Sequence, residues 1–229
     1  ELGLRRAVAL TGIQGQGCQS SVPGLRRAAE FFRATGKLAL VVNTEICSST
    51  FYPGDESDLE NVTSNALFGD ASAAFLVGDD GDGRHPELVD FESAYDPAAL
   101  DILGYIWKDG RLKCRLDRKV LEIVPPLVKK TVDNLLFRNG LMAGQYRPSA
   151  LRWAIHPGGP AILLRIEELL HLSREDTWSS WETMAEYGNC SSATLAMIAK
   201  RLHQAPSTER WGFVIGVTMG AGVSTEAVL

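Results

Sequence analysis

No stretch of this 229-residue chain stays apolar for the ~20 residues that a helix needs to cross a bilayer, so a membrane span is not expected. Basic residues are in the minority: 23 Lys and Arg stand against 28 Asp and Glu, giving a formal charge of −5. Without a basic stripe to neutralise phosphates, a nucleic-acid partner is not expected either. The four cysteines, at 18, 47, 114 and 190, show neither close pairing nor Cys-x-x-Cys spacing, and the four histidines at 85, 156, 171 and 203 are equally scattered. That pattern argues against a metal site and for free thiols in a reducing cytoplasm. Gly15-x-Gly17 lacks the remaining glycine and the acidic partner of a dinucleotide site. The run Asp79-Asp80-Gly81-Asp82-Gly83-Arg84-His85-Pro86 is similar to a calcium loop but lacks regular ligand spacing and the closing glutamate. It reads as a solvated turn with His85 on the surface.

What the chain does have is 45% hydrophobic residues, enough for a sizeable core at this length. The coarse order is strand, helix, strand, loop, strand, a long irregular stretch, helix, strand, helix, loop, helix and two strands. Ala7-Val8-Ala9-Leu10-Thr11-Gly12-Ile13 has the composition of a buried strand, and Leu38 to Val42 and Ala73 to Val77 are the clearest internal ones. Leu25, Ala28, Ala29 and Phe32 recur at helical spacing behind Pro23, and Leu127, Val128, Thr131, Val132 and Leu135 give another helix face. Such alternation predicts an α/β fold with largely buried sheets.

Polar residues at three junctions stand out. Cys18, in Gln16-Gly17-Cys18-Gln19-Ser20-Ser21, lies where an apolar run hands over to a helix. A helix N-terminus favours an anion, so a thiolate there gains stability and a lowered pKa; the alternative is a small buried cysteine. His156 ends the strand Leu151-Arg152-Trp153-Ala154-Ile155 and precedes Pro157-Gly158-Gly159-Pro160. Its two glycines leave room for a ligand to approach the backbone, and Pro160 suits a first helical turn; a loop-capping histidine is the alternative. Asn189, in Tyr187-Gly188-Asn189-Cys190-Ser191-Ser192, precedes a helix striped by Leu195, Ile198, Ala199 and Leu202. It either caps that helix or turns its amide into a cavity. Sites presented on loops by a rigid scaffold have this arrangement.

These segments, in this order, resemble the Cys-His-Asn triad of type III polyketide synthases, the chalcone synthase-like branch of the thiolase-fold condensing enzymes. His156-Pro157-Gly158-Gly159-Pro160-Ala161-Ile162-Leu163 is the most discriminating match, joined by Ala66-Leu67-Phe68-Gly69-Asp70, Tyr187-Gly188-Asn189 with Ser191-Ser192, and Trp211-Gly212. The resemblance implies a layered αβαβα sandwich, incomplete at the N-terminus. Residues 1–84 would be the remainder of the half carrying the nucleophile, and 85–229 the half carrying His and Asn. The opening Glu1-Leu2-Gly3-Leu4-Arg5-Arg6 is similar to sequence internal to such enzymes.

The implied activity is that of an acyltransferase: Cys18 loads an acyl-CoA starter, and decarboxylative condensation with malonyl-CoA extends it, with cyclisation to a small aromatic or pyrone product. His156 as imidazolium would pair with the Cys18 thiolate, and His156 with Asn189 would hold the enolate oxygen. No external cofactor is implied, CoA thioesters being substrates, and the implied assembly is a homodimer. Phe68 matches an aromatic gate, and a second gate, commonly aromatic, falls near Cys114. Cys47 and Thr50 match walls that tune starter and chain length, so a small residue there leaves room for a bulky or long starter. Gly158, Gly159, Ala161 and Ser191 are implied as substrate-binding. Two departures are Gly69-Asp70-Ala71 in place of Gly-Asp-Gly, and a terminal glycine-rich loop, Gly216-Val217-Thr218-Met219-Gly220-Ala221-Gly222, lacking its proline, which loosens that backbone. An initiating ketoacyl-carrier-protein synthase, a non-catalytic scaffold or dimerisation half, and an acyl-CoA thioester-binding or hydrolysing module are the alternatives.

Overall fold

In a computed structural model the chain is described over residues 8–54, 57–79, 81, 85–141, 151–205 and 212–229. Residues 1–7, most of the acidic loop 80–84 and Trp211 lie outside the described residues.

A 3-10 turn at Gly17–Gln19 leads into α1 (Ser21–Thr35), followed by β1 (Ala39–Glu45), a second 3-10 turn at Cys47–Thr50, α2 (Leu59–Leu67) and β2 (Ala71–Val77). Then come β3 (Phe91–Tyr95), a 3-10 turn at Pro97–Ala99, β4 (Leu103–Lys108), β5 (Arg111–Leu116), α3 (Val120–Arg138) and β6 (Leu151–Ile155). The chain closes with α4 (Pro160–Leu170), α5 (Trp178–Tyr187), α6 (Ala193–Gln204), β7 (Phe213–Gly220) and β8 (Ser224–Val228). β1 and β2 form an antiparallel pair, β4 and β5 another, and β3-β8-β7-β6 a mixed sheet in which only β6 and β7 run parallel.

Layering follows from which faces are apolar. α1 and α6 each pack on β1–β2 and on the four-stranded sheet, so they lie between the two sheets. Val22, Leu195, Ile198 and Leu202 of these helices join Ala154 and Val228 in that inner core. On the sheet's other side, α3 presents Val124, Val128, Val132 and Leu135, and α4 presents Leu163 and Ile166, against Trp153, Ile155, Ile215 and Val217. The expected face of α3 is thus realised, with Pro125 and Pro126 inside the helix. Four layers of the expected five are present among the described residues. The outer face of β1–β2, with Leu38, Leu40, Val42 and Leu76, is bare.

Three sequence expectations change. Residues 8–14 form no strand: they have no pairing neighbour among the described residues, and Leu10 is 87% exposed. A strand without a ladder leaves its amides to water, and composition cannot supply the missing partner. The irregular stretch before α3 holds β3, β4 and β5, and the two expected loops contain α2 and α5. The terminal glycine-rich loop is mostly strand: Val217, Thr218 and Met219 are buried within β7, and the turn is confined to residues 221–223.

Candidate active site

Cys18 sits in the 3-10 turn ahead of α1, seated against the end of β7. The Thr218 hydroxyl donates to Gln19 O at 3.4 Å, and a Cβ on Gly220 would lie 2.3 Å from Gln16 O. Gly17, at φ +60, adopts the left-handed backbone that glycine tolerates best. These close contacts with β7 seat the turn.

Asn189 is placed by a backbone zipper. Its N–H donates to Leu67 O and the Gly69 N–H to Asn189 O, both at 2.9 Å, making a short parallel bridge between Phe68 and Asn189. The glycines permit the approach: a Cβ on Gly69 would meet Tyr187 O at 2.6 Å, and one on Gly188 would meet Leu67 O at 2.7 Å. Phe68 is thereby held beside Asn189.

The Asn189 amide faces neither water nor α6. Its Oδ1 accepts from the Ser191 N–H at 2.8 Å, and its Nδ2 donates to Gly158 O at 2.8 Å. This pair of bonds settles which end of the amide carries oxygen. The Cys18 thiol makes a long S–H···O contact of 3.8 Å to the same Oδ1. One side chain thus ties together segments around residues 18, 158 and 189. The capping alternative is not realised, since no side chain caps the α6 N-terminus. Ser192 instead donates to Glu45 at the end of β1, and Ser21 donates to the Ser192 carbonyl.

His156 is 1% exposed at the end of β6, its N–H donating to Val217 O at 2.8 Å. Neither ring nitrogen has a hydrogen-bond partner. Burial pushes its pKa down to about 3, so the ring is neutral at pH 7. Cys18 departs from expectation in the same way. Burial pushes its thiol up to about 11, and the Glu45 carboxylate adds to the rise. With burial the largest influence on both groups, the resting pair is a thiol and a neutral imidazole. An ion pair would have to repay the desolvation of both charges.

The scattered cysteines converge. The Cys47 thiol is pushed up to about 12 by burial and then by Cys18, Glu45 and Cys190; that of Cys114 is pushed up to about 12 by burial and then by Cys18. Cys190 donates to Tyr187 O at 3.3 Å, and burial raises its pKa also. Asp70 holds the turn bearing Cys47, accepting from the Ser48 N–H at 2.7 Å and hydroxyl at 2.6 Å. Thr50 donates its hydroxyl to Cys47 O at 2.8 Å.

Other expected residues are used differently. Gly158 has φ +64, and its missing Cβ would lie 3.0 Å from Ile162; Gly159 faces Leu67. Gly158 is partly exposed, and its carbonyl anchors Asn189. Ala161 is exposed in the first turn of α4, which Pro160 opens as expected. Ser191 is buried at φ +51. Sequence reasoning assigned no role to Glu45 and missed Tyr105, whose β4 position was legible in Asp109-Gly110, a pair favoured in hairpin turns. Among the described residues no group of His, Cys, Asp and Glu could hold a metal ion, and no helix is long and apolar enough to cross a membrane.

Comparison with known proteins fits this arrangement. Residues 106–229 match the family model for the C-terminal domain of chalcone and stilbene synthases, and residues 1–81 match that for their N-terminal domain. The C-terminal type III polyketide synthase domain of Steely1, a type I/III hybrid from Dictyostelium, is 25% identical with a TM-score of 0.88, over 99% of this chain and 63% of that one. The 1,3,6,8-tetrahydroxynaphthalene synthase of Streptomyces coelicolor is 28% identical with a TM-score of 0.85, over 94% of this chain and 60% of that one. A type III pentaketide synthase from Neurospora crassa is 27% identical with a TM-score of 0.84, over 99% of this chain and 65% of that one. The chain therefore spans 60–65% of the length of these solved structures.

Proposed function

This chain belongs to the chalcone and stilbene synthase family and has its thiolase-like α/β fold, and from that premise we propose that it carries the condensing site of a type III polyketide synthase. The observation that carries the reading is the Asn189 amide, which reaches from the Cys18 sulfur to the Gly158 carbonyl two residues beyond His156.

In this reading the Cys18 proton passes to a ring nitrogen of His156, and the thiolate attacks the carbonyl of an acyl-CoA thioester. CoA leaves as the thiol and the acyl group stays on sulfur. Malonyl-CoA then loses carbon dioxide. The His156 N–H and the second N–H of the Asn189 amide, the one not donated to Gly158, stabilise the enolate oxygen. The enolate carbon attacks the Cys18 thioester and the thiolate leaves, giving a chain two carbons longer. Every step uses this chain's own groups and CoA thioesters, with no organic cofactor or metal. Cyclisation to an aromatic or pyrone product, a homodimeric assembly, a cytoplasmic location and a division into halves near residue 84 belong to the same proposal.

A second reading, a condensing half inactive by itself, is favoured by the Cys18 thiol at about 11 and by the bare outer face of β1–β2. Intact-mass analysis and peptide mapping after incubation with acyl-CoAs from acetyl to long-chain separates the two. We expect an adduct on the Cys18 peptide that is absent in Cys18→Ala. A folded protein with no adduct, whose Cys18 alkylates no faster than its other thiols at neutral pH, establishes the inactive half.

A further inference from the structure

β4 is the free edge of the β4–β5 hairpin, and register fixes which of its backbone groups point outward. Lys108 and Arg111 flank the turn Asp109-Gly110, whose φ values of +49 and +71 suit a type I′ turn, so these two residues form the hydrogen-bonded pair that closes the hairpin. Bonded and non-bonded pairs alternate along an antiparallel ladder. Gly104, Ile106 and Lys108 therefore bond to β5, while Leu103, Tyr105 and Trp107 turn their N–H and C=O groups away from it. Two contacts fit this phase: Leu103 O accepts from the Gly222 N–H at 2.9 Å, and the outward Leu116 N–H of β5 donates to Glu60 at 2.6 Å. The outward groups of Tyr105 and Trp107 have no partner among the described residues. Both residues are exposed, Trp107 by 74%. An open edge of this kind is a template for another strand.

Side chains give that edge a sign. Gly104, Ile106 and Lys108 share one face of the hairpin with Arg111, Lys113 and Arg115, and Tyr105 and Trp107 lie on the other. Asp58 takes Lys113 at 2.8 Å and Asp109 accepts from the Tyr52 hydroxyl, whereas Arg111 and Arg115 form no ion pair among the described residues. The first face is thus cationic, in a chain of formal charge −5. Tyr52 also lies under Lys108 and Lys113, whose ammonium groups are 5.4 and 5.7 Å from its ring centre. These ties hold the hairpin in shape before any partner arrives, which lowers the cost of docking.

We propose that β4 is a docking edge for an extended acidic segment of a partner protein. The segment adds as a third strand: its backbone pairs with Tyr105 and Trp107, its apolar side chains lie on the face of those two residues, and its carboxylates lie on the face of Lys108, Arg111 and Arg115. A second copy of this chain fits less well, because β4 paired with β4 sets two cationic faces side by side. The inference does not depend on the chemistry at Cys18.

Amide hydrogen exchange, read residue by residue on the isotopically labelled full chain, tests this directly. The probe is a capped peptide of about eight residues that alternates Glu and Val, the length and period of one strand. It should slow exchange at Tyr105 and Trp107 about tenfold or more and leave Ile106, already bonded to β5, unchanged. That alternation marks strand addition, which side-chain contact alone does not produce. The same peptide N-methylated at its valines, whose N–H groups face β4 in this pairing, should give no protection, and one with Lys in place of Glu should bind about tenfold more weakly. Lys108→Glu combined with Arg111→Glu should reverse the charge preference, with exchange at Ile106 showing that the hairpin persists. No protection by the acidic peptide, or equal protection by the acidic and basic peptides, overturns the proposal. Protection of Tyr105 and Trp107 without peptide overturns it as well: where it grows with protein concentration the edge belongs to a second copy, and where it is present at every dilution the edge is already covered.

Discussion

His156 is the residue at which burial and chemistry conflict most directly. An imidazole with both nitrogens unpartnered in the protein interior resists protonation, which is why its pKa falls to about 3 from an ordinary 6.5. Linkage then fixes a sign. Below pH 6.5 the unfolded chain takes up a proton that the folded chain refuses, so this residue's contribution to stability is complete above pH 6.5 and is lost progressively toward pH 3. At about 1.4 kcal/mol per pH unit, the loss from His156 between pH 6.5 and pH 5 is about 2 kcal/mol. Denaturant titrations across that interval, where few carboxylates titrate, should show this slope in the parent and its absence in His156→Phe. Equal slopes would mean that the ring is protonated in the folded protein. Desolvation also explains why the sequence misled about Cys18. The nearby helix N-terminus is visible in the pattern, whereas the burial that raises the thiol to about 11 comes from tertiary packing that the local sequence does not announce.

At the scale of elements, the junction from α2 to β2 and the one from α5 to α6 act as a single structure, because their backbones touch where only glycine fits. Gly188 combines φ +73 and ψ −155 with a missing Cβ that would lie 2.7 Å from a backbone oxygen. Gly188→Ala should cost about 1–3 kcal/mol, measured by chemical denaturation. A neutral substitution would show that the Phe68–Asn189 bridge is not needed to seat the amide. Both segments had been singled out from sequence as motifs, but nothing in either announced that they pair with each other. Helices α1, α3, α4 and α6 were legible from apolar spacing and from Pro160, and β1, β2 and β6 from short apolar runs. The β4–β5 hairpin was overlooked although its signals were present. Asp109 and Gly110 turn at φ +49 and φ +71, and Leu112, Cys114 and Leu116 alternate with Lys113 and Arg115. Charged residues on one face hid the strand, and Tyr105 went unseen with it. The segment at 8–14 failed in the opposite way, since its composition suits a strand for which the described residues provide no neighbour.

At the scale of the whole molecule, the stacking of sheet, helices, sheet and helices leaves one side unfinished. The inner face of β1–β2 is covered by α1 and α6, while the outer face presents Leu38, Leu40, Val42 and Leu76, each 48–69% exposed. A contiguous bare apolar face of this kind is uncommon on a soluble monomer and takes up other apolar material. It should therefore bind a hydrophobic fluorescent dye under native conditions. Leu40 and Leu76 are register partners, so Leu40→Lys with Leu76→Glu places opposite charges directly across the two strands and breaks the patch at its centre. Because these leucines contribute little to the core of the chain as it stands, the double variant should unfold within about 1 kcal/mol of the parent while dye binding falls several-fold. If stability instead collapses and dye binding is unchanged, the face is already covered in solution, and the two-stranded sheet draws its stability from whatever covers it.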